Sequence, residues 1–108
     1  MSEDALLGAV LDLCRLLGLH TAHFRPGRTA RGWATAVQGD GKGFPDLVVV
    51  GPGGVLWVEL KSRRGRLSGE QERWCSWLGA AGQEYRVWRP EDLVSGRVQR
   101  ELASLRSR

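Results

Sequence analysis

The chain has 108 residues, 42% of them hydrophobic and 26% charged, a balance that suits one folded domain with its own core and leaves no room for a second. Sixteen Lys plus Arg against twelve Asp plus Glu give a net charge of +4. Only Lys42 and Lys61 are lysines, and arginine's planar fork suits phosphate, although codon bias in a GC-rich genome would also enrich it. No stretch is long and apolar enough to span a bilayer, and the acidic start Met1-Ser2-Glu3-Asp4 is unlike a signal peptide, so a cytoplasmic chain without a membrane partner is expected.

Ser2 is the expected N-cap of a first helix, with Leu6, Ala9, Val10, Leu13 and Leu17 as its apolar stripe and Gly18 near its end. Glu3 falls on the same stripe. It can point inward, or it can simply favour the helix dipole. His20 to Arg25 reads as a first strand and Trp33 to Val37 as a second short extended piece, separated by glycine-rich basic loops that contain no phosphate-cradling GxxxxGK[ST] pattern. Neither His20 nor His23 is placed clearly enough to assign. Cys14 and Cys75 lie in helical stretches without metal-ligand spacing and are expected to pack as small apolar residues.

Leu47–Val50 and Val55–Leu60 are near-continuous apolar runs, as in a sheet covered on both faces, joined by Gly51-Pro52-Gly53-Gly54. If Pro52 and Gly53 form the turn, Val50 pairs with Val55, Val48 with Trp57, and Asp46 faces Glu59. Directly opposed side chains have Cβ atoms about 5 Å apart, and Glu59 and Lys61 leave the strand on one face. Two carboxylates so placed repel unless a divalent cation lies between them, with Lys61 beside it. An ordinary salt bridge from Lys61 would account for only one of the two acids.

Ser62-Arg63-Arg64-Gly65-Arg66 is a basic turn. Ser68-Gly69-Glu70-Gln71 then reads as a capping box, and Gln71, Trp74, Cys75 and Leu78 share one helix face, so Gln71 points at the sheet. Gly82 marks the helix end, Tyr85 to Trp88 a strand and Pro90 to Leu93 a short helix; Val98 to Leu105 is expected to be a weak basic helix with a frayed end.

Taken together, Pro45-Asp46, Glu59-Leu60-Lys61 and the Leu67-Ser68-Gly69-Glu70-Gln71-Glu72-Arg73-Trp74 helix start resemble the VRR-NUC family of the PD-(D/E)XK nuclease superfamily. The resemblance covers about Glu3 to Leu93. It implies an α/β, restriction-endonuclease-like PD-(D/E)XK core, a central mixed sheet flanked by helices in αβββαβ order. It also implies that Asp46, Glu59 and the Leu60 carbonyl bind Mg²⁺ or Mn²⁺, with Glu3 contributing, often through water. Lys61 would position or activate the attacking water and Gln71 would support the site from the helix. The Val-Arg-Arg segment behind the family's name is not found as such, and Ser62-Arg63-Arg64 is not equated with it.

The family includes stand-alone phage and bacterial nucleases similar to Holliday junction resolvases, which form dimers. The activity so implied is a metal-dependent, structure-selective DNA endonuclease that cuts four-way junctions as a homodimer in a bacterial or phage-infected cell, in DNA repair or recombination. A flap- or splayed-arm-directed nuclease, or a non-catalytic nucleic-acid-binding module, would be the alternatives. Arg28, Arg31, Lys42, Arg63, Arg64 and Arg66 are the candidate DNA contacts, and Trp33, Trp74, Trp77 and Trp88 are divided between core and subunit interface.

Overall fold

The structure, a computed structural model, describes residues 1–24, 27–29, 32–34 and 39–108. Helix α1 (Glu3–Leu16) begins where the Ser2 hydroxyl accepts a hydrogen bond from the Ala5 N–H at 3.1 Å, satisfying one of the first-turn donors. Its buried stripe is Leu6, Leu7, Val10 and Cys14, with Leu13 and Leu17 only partly covered. The helix is therefore rotated slightly from the expected phase. Cys14 and Cys75 are free, and burial pushes the Cys14 thiol up to about 11, as suits a packing residue.

Strand β1 (His20–His23) follows, then a separate ribbon of β2 (Gly27–Thr29) and β3 (Gly32–Ala34). Arg25 and residues 35–37, the ends of the two expected extended pieces, lie outside the described residues. The main sheet is completed by β4 (Leu47–Gly51), β5 (Gly54–Leu60) and, after helix α2 (Gly69–Ala80), β6 (Glu84–Trp88); α3 (Pro90–Val94) and α4 (Arg97–Ala103) close the chain. Its strand order is β1-β4-β5-β6, antiparallel except for β5 and β6, which run parallel and so need the α2 crossover between them. This is a mixed α/β architecture, an open four-stranded sheet with flanking helices.

The turn falls on Pro52-Gly53, with Val50 opposite Val55 and Val48 opposite Trp57, the expected register. Leu47, Val49, Leu56, Val58 and Leu60 are buried in one core with α1, Trp88, Val98, Leu102 and Leu105. The other face is not covered as expected: Val50 is 41% exposed, and Val48 and Trp57 are only partly buried. α2 covers the end of that face near Glu59 and leaves the hairpin end open.

The chain terminus also departs from expectation. Beyond α4, Leu105 is 4% exposed and its carbonyl accepts the Gly53 N–H at 2.9 Å, so the segment is pinned rather than frayed. The hairpin tip explains the contact. A Cβ on Gly53 would meet the Ser104 carbonyl oxygen at 2.5 Å, so only glycine lets these backbones touch.

Candidate active site

Asp46 lies one residue before β4, at the end of the sheet where β1 and β5 also arrive. Its carbonyl accepts the Phe24 N–H at 2.8 Å, and its Oδ2 accepts the Leu60 N–H at 3.0 Å. The carboxylate is thus held against the start of the Leu60-Lys61 step by a backbone donor. Pro45 before it is fully buried, and Phe44 packs edge-to-face on Phe24, Trp57 and Trp74 with ring centroids 5.3, 6.0 and 5.0 Å away. Gly43 makes this approach possible. Its φ is +84°, and a Cβ there would meet the Glu70 carbonyl carbon of α2 at 2.5 Å.

Glu59, the penultimate residue of β5, is 1% exposed and is the one buried charged residue among those described. Its Oε2 accepts from Gln71 Nε2 at 3.1 Å, and its Oε1 is buried with no hydrogen-bond partner. Such an orphan acceptor costs about 1–3 kcal/mol, more when charged. Burial raises the Glu59 carboxyl well above the usual carboxylate range; the Asp46 carboxyl adds to this by hydrogen bonding and by like charge, Lys61 opposes it, and Glu3 reinforces it.

Gln71 reaches Glu59 from the first turn of α2. The Ser68 hydroxyl accepts the Gln71 N–H at 3.2 Å, and Gln71 Oε1 accepts the Ser68 N–H at 2.8 Å, closing the expected capping box. With Oε1 committed to the cap, the amide nitrogen is left to face Glu59. The far end of α2 closes with Gly82 at φ +77° and the Gln83 N–H on the Leu78 carbonyl at 2.8 Å, a Schellman ending.

Glu3 stands at the rim. Burial raises its carboxyl, Asp46 raises it further, Lys61 lowers it and Asp4 adds to the rise, so the N-terminus of α1 shares the field of the two sheet acids. Glu3, Asp4, Leu7, His23, Phe24, Asp46 and Leu60 line a cleft of about 130 Å³. Among the described residues no group of three or more His, Cys, Asp or Glu side chains is placed to hold a metal ion. Asp46 and the unpartnered Oε1 of Glu59 are oxygen donors, the chemistry that suits a hard divalent cation. Lys61, partly buried, makes no ion pair with either acid, which removes the plain salt-bridge reading.

The VRR-NUC domain matches residues 10–91. The chain belongs to the VRR-NUC family. This is a nuclease domain family of the PD-(D/E)XK superfamily, and membership implies a nuclease acting on DNA. The VRR-NUC match contains Asp46, Glu59, Leu60, Lys61 and Gln71 and begins after Glu3, so Glu3 rests on its position beside Asp46. Searches of curated proteins and of solved structures gave no significant match.

The candidate DNA contacts of the VRR-NUC domain divide into groups. Arg63, Arg64 and Arg66 are exposed on the turn after Lys61. Lys42 is exposed too, but pairs with Glu70 at 3.5 Å. Arg31 and the side chain of Arg28 lie outside the described residues. The sequence did not single out Asp4 or His23 as cleft residues. His23 could have been found by pairing the first strand antiparallel to Leu47–Val50, since it sits opposite Leu47, next to Asp46.

Proposed function

We propose that this VRR-NUC domain is an endonuclease that hydrolyses DNA phosphodiester bonds with Mg²⁺ or Mn²⁺ held by Asp46, Glu59 and the Leu60 carbonyl. The observation that carries the reading is Glu59, a buried carboxylate with one oxygen free, beside a second carboxylate. When bound, such a cation supplies charge for a scissile phosphate oxygen and lowers the pKa of water. Asp46 is aimed by the Leu60 N–H, and Glu59 by Gln71. Glu3, at the rim, contributes through water. Lys61, two residues past Glu59 and without an ion pair among the described residues, is left to meet the phosphate or the attacking water.

The domain cuts four-way junctions as a homodimer, in keeping with the stand-alone members it resembles. Two-fold symmetry matches two equivalent scissile strands. Trp88 is fully buried and serves the core, whereas Trp77 is 47% exposed and stacks edge-to-face on Trp74 at 5.3 Å, so Trp77 is the tryptophan available for pairing. The test is a panel of labelled duplex, flap, splayed-arm, four-way junction, single-stranded and RNA substrates with Mg²⁺, Mn²⁺ or EDTA. Metal-dependent, symmetric junction cleavage by a species eluting as a dimer is expected. Cleavage in EDTA, or junction resolution by a monomer, would contradict it.

A further inference from the structure

The five residues after Lys61 form a closed turn. The Gly65 N–H donates to Ser62 Oγ at 3.1 Å and lies 3.3 Å from the Ser62 carbonyl oxygen. Arg89, just past the end of β6, spans the turn from beneath: its Nη1 donates to the Ser62 carbonyl at 2.8 Å and to the Gly65 carbonyl at 2.5 Å. Arg89 is itself anchored. Its N–H donates to Asp92 Oδ2 at 2.8 Å at the start of α3, and the carbonyl of the fully buried Trp88 accepts the Lys61 N–H at 3.0 Å. Both ends of the turn are therefore tied to Trp88-Arg89.

The arginines of this region are split by role. Arg86 and Arg97 are engaged by Glu101, at 2.6 Å each, and Arg89 by the turn carbonyls. Arg63, Arg64 and Arg66 are exposed, and none has an ion-pair or side-chain hydrogen-bond partner among the described residues. Three unpaired guanidiniums on one hydrogen-bonded turn, directly after Lys61, are the chemistry that binds a phosphate backbone. Holding the turn backbone in advance removes part of the ordering cost of binding.

We propose that Ser62–Arg66 is a preformed phosphate clamp for DNA and that Arg89 is the positioning residue that holds it in shape. The inference rests on the reading of the chain as a DNA nuclease. Its test is binding of the full chain to a labelled four-way junction and duplex in Ca²⁺ across a salt series. The proteins compared are the unsubstituted chain, Arg89→Lys, the triple Arg63→Ala/Arg64→Ala/Arg66→Ala, and the two combined. Lysine keeps the charge but stops short of the Nη1 position.

R89K should weaken binding roughly three- to tenfold and raise KM with kcat nearly unchanged. The triple variant should lose more and flatten the salt dependence, by about 0.9 in slope for each phosphate contact removed. Added to the triple variant, R89K should cost almost nothing further, because its effect passes through the turn. Ser62→Ala, which loosens the turn from its own side, should repeat the loss if R89K proves poorly folded by thermal melting. Unchanged binding by folded R89K, or an equal loss in the triple background, would overturn the inference. Absence of DNA binding by the unsubstituted chain would overturn the nuclease reading beneath it.

Discussion

Gln71 Nε2 donates to Glu59 Oε2 at 3.1 Å while the same amide's Oε1 caps α2 through the Ser68 N–H at 2.8 Å. One side chain thus starts the crossover helix and holds the buried acid. The two duties can be separated. Gln71→Glu keeps an oxygen for the cap but loses the donor and sets a like charge against Glu59. It should abolish or nearly abolish cleavage while costing less stability than Gln71→Ala, which loses both contacts and about 1–2 kcal/mol. Thermal melts paired with cleavage rates check this; parental activity in Q71E would show that Gln71 is only a cap.

Glu59 sets a pH dependence whose sign is opposite to that of a salt-bridged acid. Its folded-state pKa is raised, mainly by burial, above the unfolded value of 4.5. The stability it contributes is full below that value and is lost as pH rises toward the folded pKa. In chelator, the protein should therefore melt at lower temperature as pH is raised from about 5 to 9. Glu59→Gln should flatten this slope, gain about 1–3 kcal/mol at the alkaline end and fail to cut DNA. An unchanged slope in E59Q would mean that the orphaned Oε1 is satisfied in solution.

The field from Asp46 ties Glu3 to the site, yet it is exposed and lies before the family match. A role through water predicts that Glu3→Gln lowers cleavage about 10- to 100-fold, the usual cost of an outer partner, and leaves the fold intact. A drop as large as that of an Asp46 substitution would make Glu3 a direct ligand. No change at all would return it to the helix dipole.

At the opposite end of the sheet, Leu105 should behave as core. Leu105→Ala is expected to cost about 2–5 kcal/mol by chemical denaturation. Gly53→Ala, whose new Cβ would lie 2.5 Å from the Ser104 carbonyl oxygen, should also destabilise, by about 1–3 kcal/mol. Parental stability in both variants would leave the tail frayed, as its sequence alone suggests.

What could be read in the sequence was local chemistry with strict spacing. The two-residue turn on Pro52-Gly53 set the β4–β5 register as far as Leu47 opposite Val58, and just beyond it the Asp46 carboxyl acts on Glu59. The Ser68–Gln71 box set the phase of α2. What could not be read depended on which elements meet in space. His23 comes to the cleft only because β1 lies beside β4, and Arg89 serves the Ser62–Arg66 turn only because β6 lies beside β5. The open second face and the pinned C-terminus are of the same kind. Alternation shows that Val48 and Trp57 share a face, but not that α2 stops short of covering it.

The most direct measurement is cleavage of a labelled four-way junction by the unsubstituted chain and by folded Asp46→Asn and Glu59→Gln, each with Mg²⁺, Mn²⁺ and EDTA. Cleavage by the unsubstituted chain alone, in either metal and not in EDTA, is the expected result. Full activity in either variant, or activity that survives EDTA, would contradict a cation centre built on Asp46 and Glu59.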